Sequence, residues 1–166
     1  IDYFAGIRYL PTPTMGAHEI PETGCATPGD RVTFGINKWI GYVYNDPSET
    51  RNFATATYIG TVNENLSTID RFFPNDPITG QINGDSRNIP CVTPPHDKFL
   101  VRYKMKLNIT DPGMYNFTIT GDDGYKLFID DLTTPLINRW ANNKATSANH
   151  KNMTVGVHEF ILEYYE

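Results

Sequence analysis

No stretch of the 166-residue sequence reaches the length of about 18 uncharged apolar residues that a membrane-spanning helix needs. Positive charge is also scarce, because 14 Lys and Arg stand against 19 Asp and Glu and leave a net charge of −5. An acidic chain is repelled by phosphate, which disfavours nucleic acid and anionic membranes as partners. The first ten residues lack the basic and apolar parts of a signal peptide. We therefore expect a chain that does not enter a membrane and is one piece of a larger protein.

Helical periodicity is missing as well, since no segment places apolar residues at i, i+3, i+4 and i+7 over the length of a helix. The chain contains instead 12 prolines, 13 glycines and 13% aromatic residues. That composition is typical of β proteins with many loops. The length suits one domain, which we place at residues 30–166, with residues 1–29 as an N-terminal extension packed on it.

Alternation of apolar and polar side chains predicts the strands directly. It extends over residues 99–107, 115–120, 125–130 and 158–165, and an aromatic segment at 39–44 adds another strand. Weaker strand signals lie at residues 32–34 and 54–62, whereas residues 45–95 and 133–152 are expected to be long and largely irregular. Short strands separated by turn residues favour an all-β fold, an antiparallel β-sandwich of jelly-roll type with long loops.

Cysteine is limited to Cys25 and Cys91, and neither has the Cys or His neighbours of a zinc site. Both lie in Pro-rich segments, where a disulfide would fix loops that no sheet fixes and would stabilise the fold by about 4 kcal/mol. We expect this disulfide, which would indicate an extracellular protein. Two free thiols are the alternative.

Two adjacent carboxylates, Asp122 and Asp123, stand between predicted strands in the tetrad Gly-Asp-Asp-Gly. The residues alone favour a tight hairpin turn, because Asp-Gly readily adopts the positive φ angles of such turns. The alternative is a calcium site, since carboxylates are hard oxygen donors. Neighbouring side chains of an extended strand point to opposite faces, so both would reach one ion only across an unusual backbone such as a cis peptide bond.

A calcium ion takes about six to eight oxygen ligands, so a second segment would have to contribute. The segment after Asn138 is rich in asparagine and contains Asn142, Asn143 and Asn149 together with Trp140 and His150. Asn side chains can ligate an ion or hydrogen-bond sugar hydroxyls, and an exposed Trp can pack against a sugar ring. A solvated loop with Trp140 turned into the core is an equally good interpretation.

The segments Tyr-Asn-Phe-Thr-Ile-Thr-Gly-Asp-Asp-Gly-Tyr-Lys-Leu-Phe-Ile-Asp at 115–130, Asn-Arg-Trp at 138–140 and Gly-Val-His-Glu-Phe-Ile-Leu-Glu-Tyr-Tyr-Glu at 156–166 resemble the PA-fourteen domain family, the protective-antigen-type β-sandwich. Members occur in bacterial surface adhesins, in fungal flocculins and as insertions in glycosidases. Many bind glycans through calcium held by a cis-linked Asp-Asp pair. The resemblance implies that Asp122 and Asp123 form this pair and that the second ligand loop falls near Asn142 and Asn143. One departure is Asp130-Asp131-Leu132, where the family usually has Asp-Gly.

We therefore expect a calcium-dependent, lectin-like carbohydrate-binding module, monomeric within a larger secreted or cell-surface adhesin. Its partner would be a glycan, and its cofactor Ca²⁺. The expected calcium ligands are Asp122, Asp123, Asn142 and Asn143, and the sugar would contact these four residues together with Trp140, Asn149 and His150. The alternative is a structural spacer or protein-interaction domain that binds no sugar.

Catalysis is not expected. A glycosidase needs two carboxyl groups roughly 5 to 9.5 Å apart across a cleft, and adjacent residues are poorly placed for that. The four histidines are scattered along the chain, and no H-E-x-x-H or G-x-S-x-G motif occurs. No catalytic residue is assigned.

Overall fold

A computed structural model describes residues 29–64, 67–69 and 98–166. Cys25, Cys91 and the extension up to residue 28 lie outside these described residues, so the disulfide and the domain boundary at residue 30 stay predictions. The described part of the chain contains strands and turns and no helix, and therefore no helix of the length and hydrophobicity that would cross a membrane.

The described residues form nine strands in chain order. They are β1 (Gly35–Ile36), β2 (Ile40–Asn45), β3 (Thr57–Asn63), β4 (Phe99–Ile109), β5 (Gly113–Gly121), β6 (Gly124–Ile129), β7 (Ile137–Arg139), β8 (Ala145–Met153) and β9 (Gly156–Tyr165).

Seven strands form one sheet and two form the other. The large sheet has the order β3-β2-β4-β9-β6-β7 and is antiparallel, except that the short β1 pairs with β4 in parallel. The small sheet is the antiparallel pair β5-β8. The expected all-β, antiparallel β-sandwich is thus confirmed, with most of its strands in one sheet.

The core lies between the sheets and is rich in aromatic side chains. Trp39 packs edge-on against Tyr103 and Phe160, with ring centroids 6.4 and 6.3 Å apart. The small sheet contributes the half-buried Phe117, whose ring centroid lies 5.9 Å from that of Phe160. Alternation predicted β4 and β5 because in each strand every second side chain points to this core.

A second apolar cluster covers the opposite face of the large sheet. Pairing aligns Tyr44 with Leu100, Leu100 with Tyr165 and Tyr165 with Gly124, which makes one row across four strands. Tyr44, Leu100 and Tyr165 are all buried, and Trp140 packs against them. Both faces of β2 are therefore buried, so its sequence is continuously apolar and aromatic rather than alternating.

Two expectations about the loops were wrong. Residues 133–152 are not one irregular segment, because they contain β7 and the nine-residue β8. The tetrad at 121–124 is not a hairpin turn, since β5 pairs with β8 while β6 pairs with β7 and β9. The two aspartates lie where the chain crosses from the small sheet to the large one.

Candidate functional site

Asp122 and Asp123 form the crossover between β5 and β6, and the peptide bond joining them is cis. Tight packing surrounds this crossover. A Cβ atom on Gly124 would lie only 2.1 Å from Cε1 of Tyr165, its cross-strand partner. Residue 124 must therefore be glycine, because the ring of Tyr165 on β9 occupies the space that a larger side chain would need.

The end of β9 holds this crossover in place. The hydroxyl of Tyr164 hydrogen-bonds the main-chain oxygen of Asp122 and the carboxylate of Glu166. Glu166 is itself fixed by two main-chain hydrogen bonds of 3.1 Å with Phe99, one in each direction. The carboxylate of Glu166 therefore belongs to the same site as the two aspartates.

These acidic groups lie in surroundings that disfavour their negative charge. Burial raises the pKa of Asp123, and the adjacent Asp122 raises it further. Burial likewise raises the pKa of Glu166 to about 7, with further contributions from Asp123 and Asp122. Because Asp123 and Glu166 are harder to charge here than in water, a bound cation beside them would be stabilised.

The asparagines of the β7–β8 loop have different environments. The hydroxyl of Tyr165 donates a 2.8 Å hydrogen bond to Oδ1 of Asn142, which lines a cavity together with Asp123. Oδ1 of Asn143 instead accepts a 2.5 Å hydrogen bond from Nη2 of Arg139, and Asn143 does not line that cavity. The structure thus brings Asn142, but not Asn143, to the aspartate pair.

The cavity has a volume of about 200 Å³. The aspartate crossover, the end of β9 and the β7–β8 loop contribute to its lining, as do the loop after β2 and the start of β4. The lining residues are Asp46, Glu49, Arg51, Lys98, Phe99, Leu100, Asp123, Asn142, Tyr165 and Glu166. Four of the lining side chains are acidic and two are basic, and no imidazole or thiol of the described residues takes part.

Trp140 lies beside this cavity without lining it. Its half-buried ring packs edge-on against Tyr165, with centroids 4.6 Å apart, and Nζ of Lys126 lies 4.2 Å from the Trp140 centroid. Trp140 thus supports the ring of Tyr165, and Lys126 lies over the ring of Trp140. Its expected role as a sugar-stacking surface stays a prediction.

Asn149 and His150 lie within β8, away from the aspartates. Ala145 is the β8 residue that pairs with Gly121 next to the crossover, so Asn149 is four residues or about 13 Å farther along the strand. Its Nδ2 donates a 2.7 Å hydrogen bond to the main-chain oxygen of Leu136. The structure therefore does not bring these two residues to the cavity that holds Asp123 and Asn142.

Four residues of the site were not assigned from the sequence: Arg51, Tyr164, Tyr165 and Glu166. Three of them stand in the terminal Glu-Tyr-Tyr-Glu that contributes to the family resemblance. Their proximity to Asp123 depends on the pairing of β9 with β6, which joins residues about 40 positions apart and leaves no local signal in the sequence.

The side chains around the aspartate pair offer carboxylate and amide oxygens to a metal ion. Among the described residues no three carboxylate, imidazole or thiol side chains form a metal-binding group by themselves. Amide and main-chain oxygens would have to complete the shell, as they commonly do for calcium and seldom for zinc. Asp122, Asp123 and the amide oxygen of Asn142 are hard ligands of this kind, so the residues fit calcium.

The fold and this cavity define the class of the protein, a small β-sandwich domain with a cavity between its loops. Within that class the chain belongs to the PA14 domain family, whose model matches residues 52–166. The expected membership is confirmed. No curated protein matches the sequence.

Solved structures share the fold. The PA14 sugar-binding domain from an RTX adhesin is 17% identical, with a TM-score of 0.55 over 78% of this chain and 82% of that one. The Epithelial Adhesin 9 A domain from Candida glabrata, in complex with Galb1-3GlcNAc, is 12% identical, with a TM-score of 0.50 over 85% and 79%. A β-glucosidase from Kluyveromyces marxianus, in complex with glucose, is 15% identical, with a TM-score of 0.51 over 76% of this chain. The chain spans only 14% of that enzyme.

Proposed function

We propose that this chain is a calcium-dependent carbohydrate-binding module of a secreted or cell-surface protein. The observation that carries the proposal is that Asp123, next to Asp122 in sequence, lines the same cavity as Asn142. Support also comes from the fold, which the chain shares with a PA14 sugar-binding domain and with an adhesin domain bound to a disaccharide.

The residues have separate roles in this proposal. Asp122 and Asp123 would hold the ion through their carboxylates and Asn142 through its amide oxygen, which the Tyr165 hydroxyl orients. Calcium, when bound, supplies positive charge and coordination positions that the vicinal hydroxyls of a sugar can occupy in place of water. Tyr164 keeps the main chain of Asp122 in position.

The proposal includes no catalytic role for this chain. Asp122 and Asp123 are adjacent in sequence, which suits two ligands of one ion better than the separated acid and nucleophile of a glycosidase. We therefore assign recognition to this chain and any chemistry to other parts of the protein to which it belongs. A module with one small site would bind weakly and would depend on several copies acting together.

Calorimetric titration with calcium tests the proposal. Asp122→Asn, Asp123→Asn and Asn142→Ala should each reduce or abolish calcium binding, whereas Asn143→Ala, the neighbouring control, should retain it. A ligand that binds only the folded state stabilises it by about 2.7 kcal/mol at a hundredfold excess over its Kd, so EGTA should lower the melting temperature of the calcium-loaded protein. An unchanged melting temperature together with no calorimetric signal would favour the alternative, a structural spacer or protein-interaction domain.

A further inference from the structure

The cavity that Asp123 lines also contains a cation, Arg51, on a loop built to hold it. Arg51 belongs to the loop between β2 and β3, and its guanidinium carbon lies 4.5 Å from the ring centroid of Tyr165. That ring is the one whose hydroxyl binds Asn142. Arg51 and the proposed ion ligands therefore share both the cavity and a supporting side chain.

The loop is organised by one buried carboxylate. Asp46 is only 3% exposed, and its Oδ2 accepts a 2.6 Å hydrogen bond from the main-chain nitrogen of Arg51. Its Oδ1 accepts a 2.8 Å hydrogen bond from the hydroxyl of Thr50. The backbone at Arg51 also has a positive φ of 53°. These contacts fix the backbone from which the Arg51 side chain extends.

The charge of Arg51 counteracts the rise in the pKa of Asp123, but Arg51 has no salt bridge within the described ranges. Glu49, the nearest acidic residue in the loop, is paired with Lys98 at 2.8 Å, and Asp46 is satisfied within the loop. Among the described residues no carboxylate lies within ion-pair distance of Arg51. Its five N–H donors therefore remain available to a ligand in the cavity, while its flat face is supported by Tyr165.

From this geometry we infer that Arg51 makes the site selective for saccharides that carry an acidic group, a carboxylate or a sulfate, close to the hydroxyls bound at the calcium position. The inference rests on the proposed function. A guanidinium matches both anions in shape and can donate two parallel hydrogen bonds to either.

We expect this selectivity only in the calcium-loaded protein, because the cavity is also lined by acidic residues. Asp123 and Glu166 would repel an anionic sugar as long as their charge is not offset. A bound divalent cation is the largest local charge in such a site and reverses this balance. The binding of acidic saccharides should therefore depend on calcium at least as strongly as the binding of neutral saccharides does.

Calorimetry with matched pairs of methyl glycosides tests the inference. The pairs are glucose with glucuronic acid and galactose with galacturonic acid, and galactose 6-sulfate separates sulfate from carboxylate recognition. In calcium buffer at low salt the wild-type protein should bind an acidic sugar about tenfold more tightly than its neutral partner, the effect of one charge-assisted hydrogen-bond pair. The preference should decline as sodium chloride is added.

Variants distinguish recognition from a structural role. Arg51→Gln should lower the affinity for acidic sugars much more than the affinity for their neutral partners, so that the ratio of the two falls to about one, and Arg51→Lys should keep part of the preference. Arg31→Gln is the matched control, because Arg31 also lies over a tyrosine ring, 5.6 Å from the centroid of Tyr58, but does not line the cavity.

Equal binding of acidic and neutral sugars by the wild type would overturn the role of Arg51 and leave the proposed function standing. So would a loss of neutral-sugar and calcium binding in Arg51→Gln as large as the loss of acidic-sugar binding. Absence of binding to every sugar, with or without calcium, would overturn the proposed function itself and this inference with it.

Discussion

The hydroxyl of Tyr165 donates a 2.8 Å hydrogen bond to the amide oxygen of Asn142 and so ties the last strand to the β7–β8 loop. Tyr165 also pairs with Gly124, immediately after the aspartates. Its ring lies between the edge-on ring of Trp140 and the guanidinium of Arg51. One buried side chain therefore connects the two segments that are proposed to share a calcium ion.

Removing this hydroxyl should weaken calcium binding more than it weakens the fold. Tyr165→Phe keeps the ring and its packing but deletes the hydrogen bond that orients Asn142, a contribution of about 1 kcal/mol. The calcium Kd should rise several-fold, and the melting temperature in EDTA should fall by only a few degrees. Titration calorimetry and thermal unfolding measure the two effects separately. An unchanged Kd would show that Asn142 needs no such support.

Much of the fold could be predicted from the sequence because most strands bury one face. β4, β5 and β9 contain the alternating stretches at 99–107, 115–120 and 158–165, and the pattern stands out from its surroundings. β8 escaped detection because its inward positions include Ala145 and Ser147, which are small or polar. Its strand conformation comes from pairing with β5, a tertiary effect that local sequence does not record.

Only the part of the site formed by neighbours in sequence could be predicted. Asp122 and Asp123 stand out because they are adjacent and lie between strands. Choosing between Asn142 and Asn143 required knowledge of which amide faces the cavity. Arg51 and Glu166 join the site through strand pairing across more than forty residues, so neither could be found by spacing.

A pH-dependent contribution to stability is expected at the opposite end of β6. Nδ1 of His158 lies 2.8 Å from Oδ2 of Asp130, and Nε2 lies 2.9 Å from the main-chain oxygen of Thr154. The hydrogen bond with Asp130 raises the pKa of His158 above its usual value of 6.5, with a smaller contribution from Thr154. The folded state therefore holds this proton more tightly than the unfolded state does. The stabilisation is complete below about pH 6.5 and is lost as the pH rises through the pKa of the folded protein.

Asp130→Asn should remove most of this dependence. Asparagine tolerates the positive φ of 64° at this position and can still accept the 3.1 Å hydrogen bond from the main-chain nitrogen of Glu159. Urea unfolding at pH 6 and at pH 8.5 should show that the wild type loses more stability between these values than Asp130→Asn does. Equal losses would mean that the His158–Asp130 pair contributes nothing measurable.

Gly124→Ala should damage both the fold and the calcium site, because the new Cβ would lie 2.1 Å from the ring of Tyr165. Relief requires movement of a buried ring that is packed against Trp140 and hydrogen-bonded to Asn142, so we expect a loss of about 1 to 3 kcal/mol in unfolding free energy. Gly113→Ala is a useful comparison, since no atom lies within 4 Å of its Cβ position. Its cost should come only from its φ of 155°, at a turn remote from the cavity, and its calcium Kd should stay at the wild-type value. A calcium Kd unchanged in Gly124→Ala as well would show that the ring of Tyr165 can move without disturbing Asn142.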